Sequence, residues 1–350
     1  MPIVDLSDAP EVVAIVPTLG DTPRLRECVD SLRAGCGDHR LAILCVVNSS
    51  QTDPLQLADA TTELVGVNLG WAGGLQFGAG LTTAPLLWLV QDDMTVEPTT
   101  LTTLIAALES ESTLGVVGPI VVGEDGLVPV SSCGGVIAAD GSVGPWLPLA
   151  ACRPEELSGL DTLDYLPSRG MLVRRAAWDA VGGADPALYP AQFVDVDLCT
   201  RLRSGGYGFR LITAARIRHE GGGSTPRPFA LFLNARNAET YAARWYPGSA
   251  PDADRFVDAS RFRPDPAGVR PGPVHPDLDP ELLRVVAQSA TNTLTHLGRV
   301  YGAATTAEAA STAGDRDEID ALRNSRSWRA TAPLRWCASW ARRLLRGPRR

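Results

Sequence analysis

Short apolar segments recur along the first third of the chain, separated by stretches with helical spacing or by polar and glycine-rich turns. In the first of these stretches, Leu25, Cys28, Val29 and Leu32 fall on one helical face. Strands that alternate with helices in this way predict an α/β fold, with a mostly parallel sheet covered by helices on both faces. The predicted strands are 11–17, 41–47, 63–67, 86–90 and 115–122.

The segment 86–90 leads directly into three polar residues, Gln91, Asp92 and Asp93. Open α/β sheets bind their ligands outside the carboxyl ends of the strands, so this carboxylate pair lies where a ligand is expected. Oxygen ligands on a short loop suit Mg²⁺ or Mn²⁺, with a substrate diphosphate completing the coordination shell. The alternative is a polar turn that starts the next helix, with Glu97 capping it and Pro98 at its first position.

Beyond residue 122 the pattern predicts fewer strands and more helices. Residues 123–160 show no clear periodicity, and strands resume at 164–173 and 207–217. Residues 302–314 are rich in alanine and threonine, and we expect them to be loose. A helix is also predicted earlier, at 99–109. Beyond residue 122 the predicted helices are 176–181, 193–204, 229–246 and 281–301, with a proline-rich linker at 247–280 between the last two.

Charge is distributed unevenly along the chain. The net charge is −8 over 350 residues, yet residues 321–350 contain nine arginines and no acidic residue. An acidic body with a basic tail argues against a nucleic-acid partner and towards a separate partner for the tail. Residues 333–346 place tryptophan and leucine on one helical face and arginine towards the other, which suits either an anionic membrane surface or the acidic body itself.

Cysteine usage and hydropathy indicate the compartment. The seven cysteines are scattered and form no CxxC pair, as in a reduced cytosolic chain. No apolar run approaches the roughly 20 residues of a membrane span, and the acidic N-terminus lacks the apolar core of a secretion signal. We expect a cytoplasmic protein, with peripheral contact to the inner face of the cell membrane through 333–350 as an open alternative.

Eight pieces of the sequence, in order, carry a resemblance to one family. They are IVPTLGDTPRLRECVDSL, VVNSSQTD, NLGWAGG, QDDM, GMLVRR, VGGADP, DVDLCTRLRSGGY and HEGGGS, the last of which begins at His219. From about 12 to 224 the chain resembles the family 2 glycosyltransferases, in particular a bacterial rhamnosyltransferase-like and galactofuranosyltransferase-like branch. The NARN of residues 234–237 extends the likeness.

The resemblance implies a Rossmann-like GT-A fold in residues 1–225, with a sugar-donor half at about 11–122 and an acceptor half at about 123–225. A C-terminal helical extension would follow at 226–301, and a flexible segment with the arginine-rich amphipathic tail at 302–350. The implied activity is metal-dependent and inverting. It moves a sugar from a nucleotide sugar, most readily dTDP- or UDP-linked, to a hydroxyl of a glycan or lipid-linked glycan in cell-envelope polysaccharide synthesis.

The functional residues of the family carry over by position. The resemblance implies that Asp93, Asp92 and His219 hold the metal, and that Asp195 is the base on the acceptor hydroxyl. The expected substrate contacts are Thr18, Asn48, Gly70, Gly74, Gln76, Asp92, Arg169 and Asp197.

The residues alone leave alternatives to these roles. Asp92 could be a turn carboxylate that accepts backbone N–H bonds. Asp195 and Asp197 could simply favour a helix N-terminus through its dipole. Arg169 is either a clamp for a substrate anion or a solvated side chain. Trp71 could stack on a nucleobase, although packing is the favoured interpretation.

Four positions depart from the family pattern. Asn48 and Val194 stand where the family has carboxylates, Gln76 where it has asparagine, and Arg169 where it has a small residue. An amide can still hydrogen-bond a nucleobase, although its set of donors and acceptors differs. The alternative function is a non-catalytic GT-A module that binds a nucleotide sugar or a glycan as a scaffold.

Overall fold

The computed structural model describes residues 5–146, 150–157, 160–219, 227–247 and 274–307. Three predictions lie outside these ranges: the amphipathic tail at 333–350, the glycine run at 220–224 and most of the proline-rich linker. Within the described ranges, no helix combines the length and the apolar character that crossing a membrane requires.

Strands and helices alternate through the first half of the described chain, as predicted. In chain order they are β1 (Val12–Thr18), α1 (Pro23–Ala34), β2 (Leu41–Val47), β3 (Thr61–Leu64), α2 (Gly70–Gly80), β4 (Leu86–Leu89), β5 (Met94–Val96), α3 (Thr100–Glu109) and β6 (Leu114–Val121). The later elements are β7 (Val128–Pro129), β8 (Gly135–Ile137), β9 (Val143–Pro145), β10 (Ala151–Cys152), β11 (Met171–Arg174), α4 (Arg175–Val181), α5 (Val194–Ser204), β12 (Gly208–His219), α6 (Arg227–Trp245) and α7 (Pro280–Ala307).

The central sheet has eight strands in the order β3-β2-β1-β4-β11-β6-β12-β5. Six of these strands run in one direction, whereas β11 and β5 are antiparallel to their neighbours. Every residue of β1, β2, β4 and β6 is buried. The buried apolar side chains form two clusters, which follow the alternate side chains of these strands and therefore lie on the two faces of the sheet. The predicted α/β class and the mostly parallel sheet are confirmed.

Glycine lets α2 lie unusually close to the sheet. A Cβ atom on Gly78 would stand 2.5 Å from Cγ2 of Ile15 on β1. Glycine at this position therefore permits a contact that any larger side chain would prevent. The close approach brings the first turn of α2 against the carboxyl ends of β1 and β2.

Several predicted boundaries are wrong, including that of the third strand, which spans Thr61–Leu64 and not 63–67. Residues 94–96 form the edge strand β5, which is too short to give a periodic signal, and α3 begins only at Thr100. Strand β11 begins at Met171 and not at 164, since Gly170 has φ +77° and ends the preceding loop. Residues 302–307 continue α7 and are not loose, in keeping with the high helix propensity of alanine.

The C-terminal helices pack back onto the sheet domain. Helix α7 lies against the turn Pro186–Leu188 and against α2, and it also contacts α6. On α6, Phe232, Leu233, Tyr241 and Ala242 are buried. Both helices therefore support the loop that leads into α5.

Candidate active site

A cleft of about 400 Å³ opens at the carboxyl ends of β1, β2 and β4. Thr18 ends β1, Asn48 follows β2, and Asp92 and Asp93 follow β4, so the parallel strands bring these side chains to one edge. Eight of the predicted site residues line this cleft: Thr18, Asn48, Gly70, Asp92, Asp93, Arg169, Asp195 and His219.

The adjacent carboxylates of Asp92 and Asp93 have different partners. The hydroxyl of Thr18 donates to Oδ2 of Asp92 over 2.6 Å. Oδ1 of Asp93 lies 3.2 Å from Nε2 of His219. The pairing of β12 with β5 places His219 opposite Met94, which explains how residues from distant parts of the sequence meet here. Asp93 and His219 thus form one unit, and Asp92 with Thr18 forms a second.

The surroundings of Asp93 favour its ionised form. Burial alone would raise the pKa of this carboxyl. The hydrogen bond and charge of His219, a backbone N–H and the charge of Arg24 outweigh burial and hold the pKa of Asp93 below its ordinary value. Asp93 is therefore an anion at neutral pH, as a ligand for a cation must be.

Asp195 lies in the first turn of α5 and is partly exposed to the same cleft. Oδ1 of Asp195 accepts a hydrogen bond from the backbone N–H of Val196 over 3.0 Å. Oδ2 of Asp195 accepts one from the backbone N–H of Ser168 over 3.4 Å. Burial raises the pKa of Asp195, and this outweighs the opposing effects of these N–H groups and of Arg169. A carboxylate with a raised pKa is a stronger proton acceptor once it is ionised.

Arg169 lies near both His219 and Asp195 in the cleft. Its Nη1 is 3.5 Å from Nδ1 of His219, and its charge partly opposes the rise that burial causes in the pKa of Asp195. Trp88, fully buried on β4, donates from its indole to the carbonyl of Gly170 and fixes the backbone beside Arg169. This arrangement holds a positive charge inside the cleft, where a substrate anion could meet it.

Asn48 lines the cleft and has one hydrogen-bond acceptor that is not used. Its Nδ2 donates to the carbonyl of Gly70 over 2.9 Å, while its Oδ1 is buried without a hydrogen-bond partner among the described residues. Gly70 has φ +71°, and a Cβ there would lie 2.6 Å from the carbonyl oxygen of Pro190. A buried acceptor without a partner costs free energy unless a ligand satisfies it.

Three predicted substrate contacts do not line the cleft. Gly74 lies behind Asn48, and a Cβ atom added at Gly74 would stand 2.6 Å from Nδ2 of Asn48. The Gln76 amide donates to the carbonyl of Gly182 on the outer side of α2. Asp197 is 1% exposed and accepts from Arg201, Arg244 and Trp245, which ties α5 to α6. Gln76 and Asp197 therefore make contacts within the protein and do not face the cleft.

Several residues that line the cleft were not predicted from the sequence, among them Asn68 and Gln192. Oδ1 of Asn68 accepts from the backbone N–H of Gly70 over 2.7 Å and shapes the glycine turn. An asparagine directly before such a turn is a recognised turn former, so a signal existed. Gln192 has φ +75° and lines the cleft, but nothing in its sequence context indicates this conformation. Trp71 also lines the cleft. Its indole N–H donates a hydrogen bond to the hydroxyl of Ser168.

The residues present fit a divalent cation that relies on its substrate for ligands. In the described part of the chain, no three His, Cys, Asp or Glu side chains converge as a metal-binding group. Asp93 and His219 do converge, and Mg²⁺ is commonly held by one or two carboxylates together with substrate phosphates. Because Asp92 hydrogen-bonds Thr18, Asp93 and His219 are the better placed of the three predicted ligands.

Comparison with known proteins agrees with this geometry. Residues 13–133 match the family described as Glycosyl transferase family 2. No curated protein sequence matches the chain. Among solved structures, "Crystal structure of GalNAc-T7 with UDP, GalNAc and Mn2+" is similar at TM-score 0.51 and 13% identity; the alignment covers 86% of this chain and 58% of that one.

A second solved structure is the mannosyltransferase PcManGT from Pyrobaculum calidifontis in complex with GDP-Man and Mn²⁺, at TM-score 0.47 and 16% identity, with 98% of this chain and 90% of that chain covered. The first likeness confirms the predicted GT-A fold. The rhamnosyl or galactofuranosyl branch stays a prediction. Residues 13–133 thus resemble the Glycosyl transferase family 2 domain, and the chain has a GT-A fold.

Proposed function

We propose that the protein is an inverting, metal-dependent glycosyltransferase that moves a sugar from a nucleotide-sugar donor to a hydroxyl of a glycan or lipid-linked glycan. One observation carries the proposal: the Asp93–His219 pair and the carboxylate of Asp195 line the same cleft at the carboxyl end of the sheet. The Asp93–His219 pair is suited to hold a cation on the leaving diphosphate. The carboxylate of Asp195 is suited to take a proton from the acceptor hydroxyl.

The leaving-group side of the cleft is built by Asp93, His219 and Arg169. When bound, Mg²⁺ or Mn²⁺ would offset the negative charge that develops on the departing nucleoside diphosphate. Asp93 and His219 are its proposed ligands, with Asp92 near them. Arg169 adds a fixed positive charge that can pair with a phosphoryl oxygen.

The acceptor side depends on Asp195. The sugar hydroxyl that attacks the donor must lose a proton, and a carboxylate within hydrogen-bond reach can take it. Backbone N–H groups of Ser168 and Val196 hold the Asp195 carboxylate in place without neutralising it. A single base opposite the leaving group corresponds to one displacement, and hence to inversion at the sugar carbon.

Asn48 supports a donor whose base offers an N–H. With Nδ2 engaged by Gly70, the free Oδ1 can accept from the imide N–H of uracil or thymine. This contact is compatible with the UDP- or dTDP-sugars expected from the sequence, although guanine also carries such an N–H. The similar solved structure GalNAc-T7 holds UDP, GalNAc and Mn²⁺, which supports a nucleotide sugar as the class of donor.

The experiment that tests this function is a panel of donors with the purified full-length chain. dTDP-rhamnose, UDP-galactofuranose, UDP-glucose, UDP-galactose and GDP-mannose are incubated with Mn²⁺ or Mg²⁺, and both diphosphate release and thermal shift are measured. We expect turnover of at least one UDP- or dTDP-sugar that stops on chelation and is lost in Asp93→Ala. Thermal shift without turnover of any donor would instead support the scaffold alternative.

A further inference from the structure

Two buried polar residues of α6 bind the loop that leads into the proposed base. Asn237 is 0% exposed, although an asparagine amide needs several hydrogen bonds when it is buried. Its Nδ2 lies within hydrogen-bond distance of three backbone carbonyls, those of Leu188 at 3.1 Å, Ala191 at 2.7 Å and Gln192 at 2.9 Å. All of them belong to one stretch, residues 187–193, which we name the approach loop.

Arg236 adds a second set of bonds to the approach loop. The residue is 6% exposed, and its Nη1 donates to the carbonyls of Ala187 at 3.3 Å and Tyr189 at 3.2 Å and to Oδ1 of Asn237. Its Nη2 donates to the hydroxyl of Ser289 on α7, and that hydroxyl donates in turn to the carbonyl of Ala187. Two helices outside the sheet domain therefore hold the same loop.

The approach loop has a conformation that requires such support. Gln192 and Phe193 have φ of +75° and +63°, so two successive residues with side chains occupy the left-handed region. Non-glycine residues remain in this region only when their surroundings hold them there, and they often do so at functional sites. Asn237 bonds the carbonyl of Gln192 directly, and Asp195 follows two residues after Phe193.

The approach loop also forms one wall of the cleft. Pro190, Ala191 and Gln192 line it, and the carbonyl of Pro190 accepts from the backbone N–H of Trp71 over 2.7 Å. A relaxed loop would change both this wall and the direction in which α5 begins. A small shift of a reacting group can cost on the order of 10²-fold in rate.

We propose that Asn237, supported by Arg236 and Ser289, is a positioning residue that holds the approach loop in its left-handed turn and thereby sets the direction of the Asp195 carboxylate in the cleft. This inference rests on the proposed role of Asp195 as base. It gives the two C-terminal helices a part in catalysis, and it assigns a role to the second half of the NARN sequence.

The test is a double-mutant cycle on the full-length chain with an active donor and acceptor. Asn237→Ala removes the bonds to the approach loop, and we expect the rate of transfer to fall about 10- to 100-fold with donor affinity within about threefold of wild type. In an Asp195→Asn background, the same Asn237 change should cost less than about twofold, because residues that act as one unit are not additive.

Tyr241→Phe is the matched control. It removes the buried hydrogen bond between Tyr241 of α6 and Thr200, over 2.8 Å, and leaves the bonds of α6 to the approach loop intact. We expect it to lower thermal stability without the fall in transfer. If Asn237→Ala does not yield folded protein, Ser289→Ala is measured in the same cycle, with an expected loss of about three- to tenfold.

The outcomes separate this inference from the proposed function. If the effects of Asn237→Ala and Asp195→Asn multiply, or if Tyr241→Phe slows transfer as much as Asn237→Ala, then Asn237 is only structural and the positioning role is overturned. If Asp195→Asn itself keeps full transfer, the proposed base is wrong, and the positioning role is overturned with it.

Discussion

The carboxylate of Asp93 and the imidazole of His219 meet at 3.2 Å because β5 and β12 pair along the edge of the sheet. Asp93 precedes β5 and His219 ends β12, so the pairing of Met94 with His219 brings both side chains to the cleft. The short strand β5, which gives no periodic signal in the sequence, is therefore what assembles the proposed cation site.

The first prediction concerns this cation site. Asp93→Ala removes the carboxylate whose pKa is held low, so we expect Mn²⁺ affinity in the presence of donor to fall at least about tenfold and turnover to be lost. Isothermal titration of Mn²⁺ into the protein with a non-hydrolysable donor measures the affinity. Asp125→Ala, an exposed carboxylate outside the cleft, is the control. Unchanged Mn²⁺ affinity in Asp93→Ala would place the metal elsewhere.

The second prediction concerns the space behind Asn48. In Gly74→Ala the new Cβ would stand 2.6 Å from Nδ2 of Asn48 and 3.0 Å from Cβ of Pro17. We expect a loss of about 1–3 kcal/mol in the free energy of unfolding together with weaker donor binding, because the amide must move. Chemical denaturation and donor titration measure the two effects.

Gly80→Ala is the matched control for this change on the same helix. Its Cβ would meet no atom within 4 Å, so we expect equal or slightly higher stability, by about 0.4–1 kcal/mol, and unchanged donor binding. If Gly74→Ala behaves like Gly80→Ala, the amide of Asn48 does not depend on that gap.

The third prediction concerns Asp197, which the structure assigns to packing. Asp197→Asn leaves Arg201 without its charge partner and leaves Arg244 with Asp185 alone. We expect a loss of about 2–3 kcal/mol, below the full cost of breaking a buried pair because Arg244 is partly exposed to water. Thermal unfolding measures it. Transfer per folded molecule should stay close to wild type, and a collapse of transfer at full stability would make Asp197 a functional residue after all.

The fourth prediction follows from the raised pKa of Asp195. An acid whose folded pKa lies above its unfolded value is harder to ionise in the folded state, so its ionisation lowers stability as pH rises through that window. Asp195→Asn removes this cost. We therefore expect Asp195→Asn to be more stable than wild type at pH 7, with the advantage disappearing as pH falls through the folded pKa towards the unfolded one. A pH series of unfolding temperatures tests the sign.

Much of the fold could be predicted from the sequence because residues close together in the chain determine it. The buried strands of 11–17 and 41–47 and the helical spacing of α1 match the structure closely. The cleft followed from the carboxyl ends of parallel strands, which placed Asn48, Asp92 and Asp93 together. These features depend on residues near one another in the sequence or on a general rule of sheets.

Other features depend on contacts between distant residues, and no local pattern encodes them. Asp195 and Asp197 read alike in the sequence, and only the packing of α6 shows that one lines the cleft while the other pairs with arginine. The left-handed turn at Gln192 and Phe193 likewise depends on Asn237, far along the chain. Such tertiary details cannot be derived from the spacing of the motifs.

The central claim is that Asp195 takes the proton of the acceptor hydroxyl. The most direct measurement is the single-turnover rate of sugar transfer by Asp195→Asn beside its affinity for the donor, with Mn²⁺ present. The asparagine keeps the size of the side chain and can still accept from the N–H of Val196. We predict a fall in rate on the order of 10²–10⁴ with donor affinity unchanged. Transfer at the wild-type rate by Asp195→Asn would contradict the account.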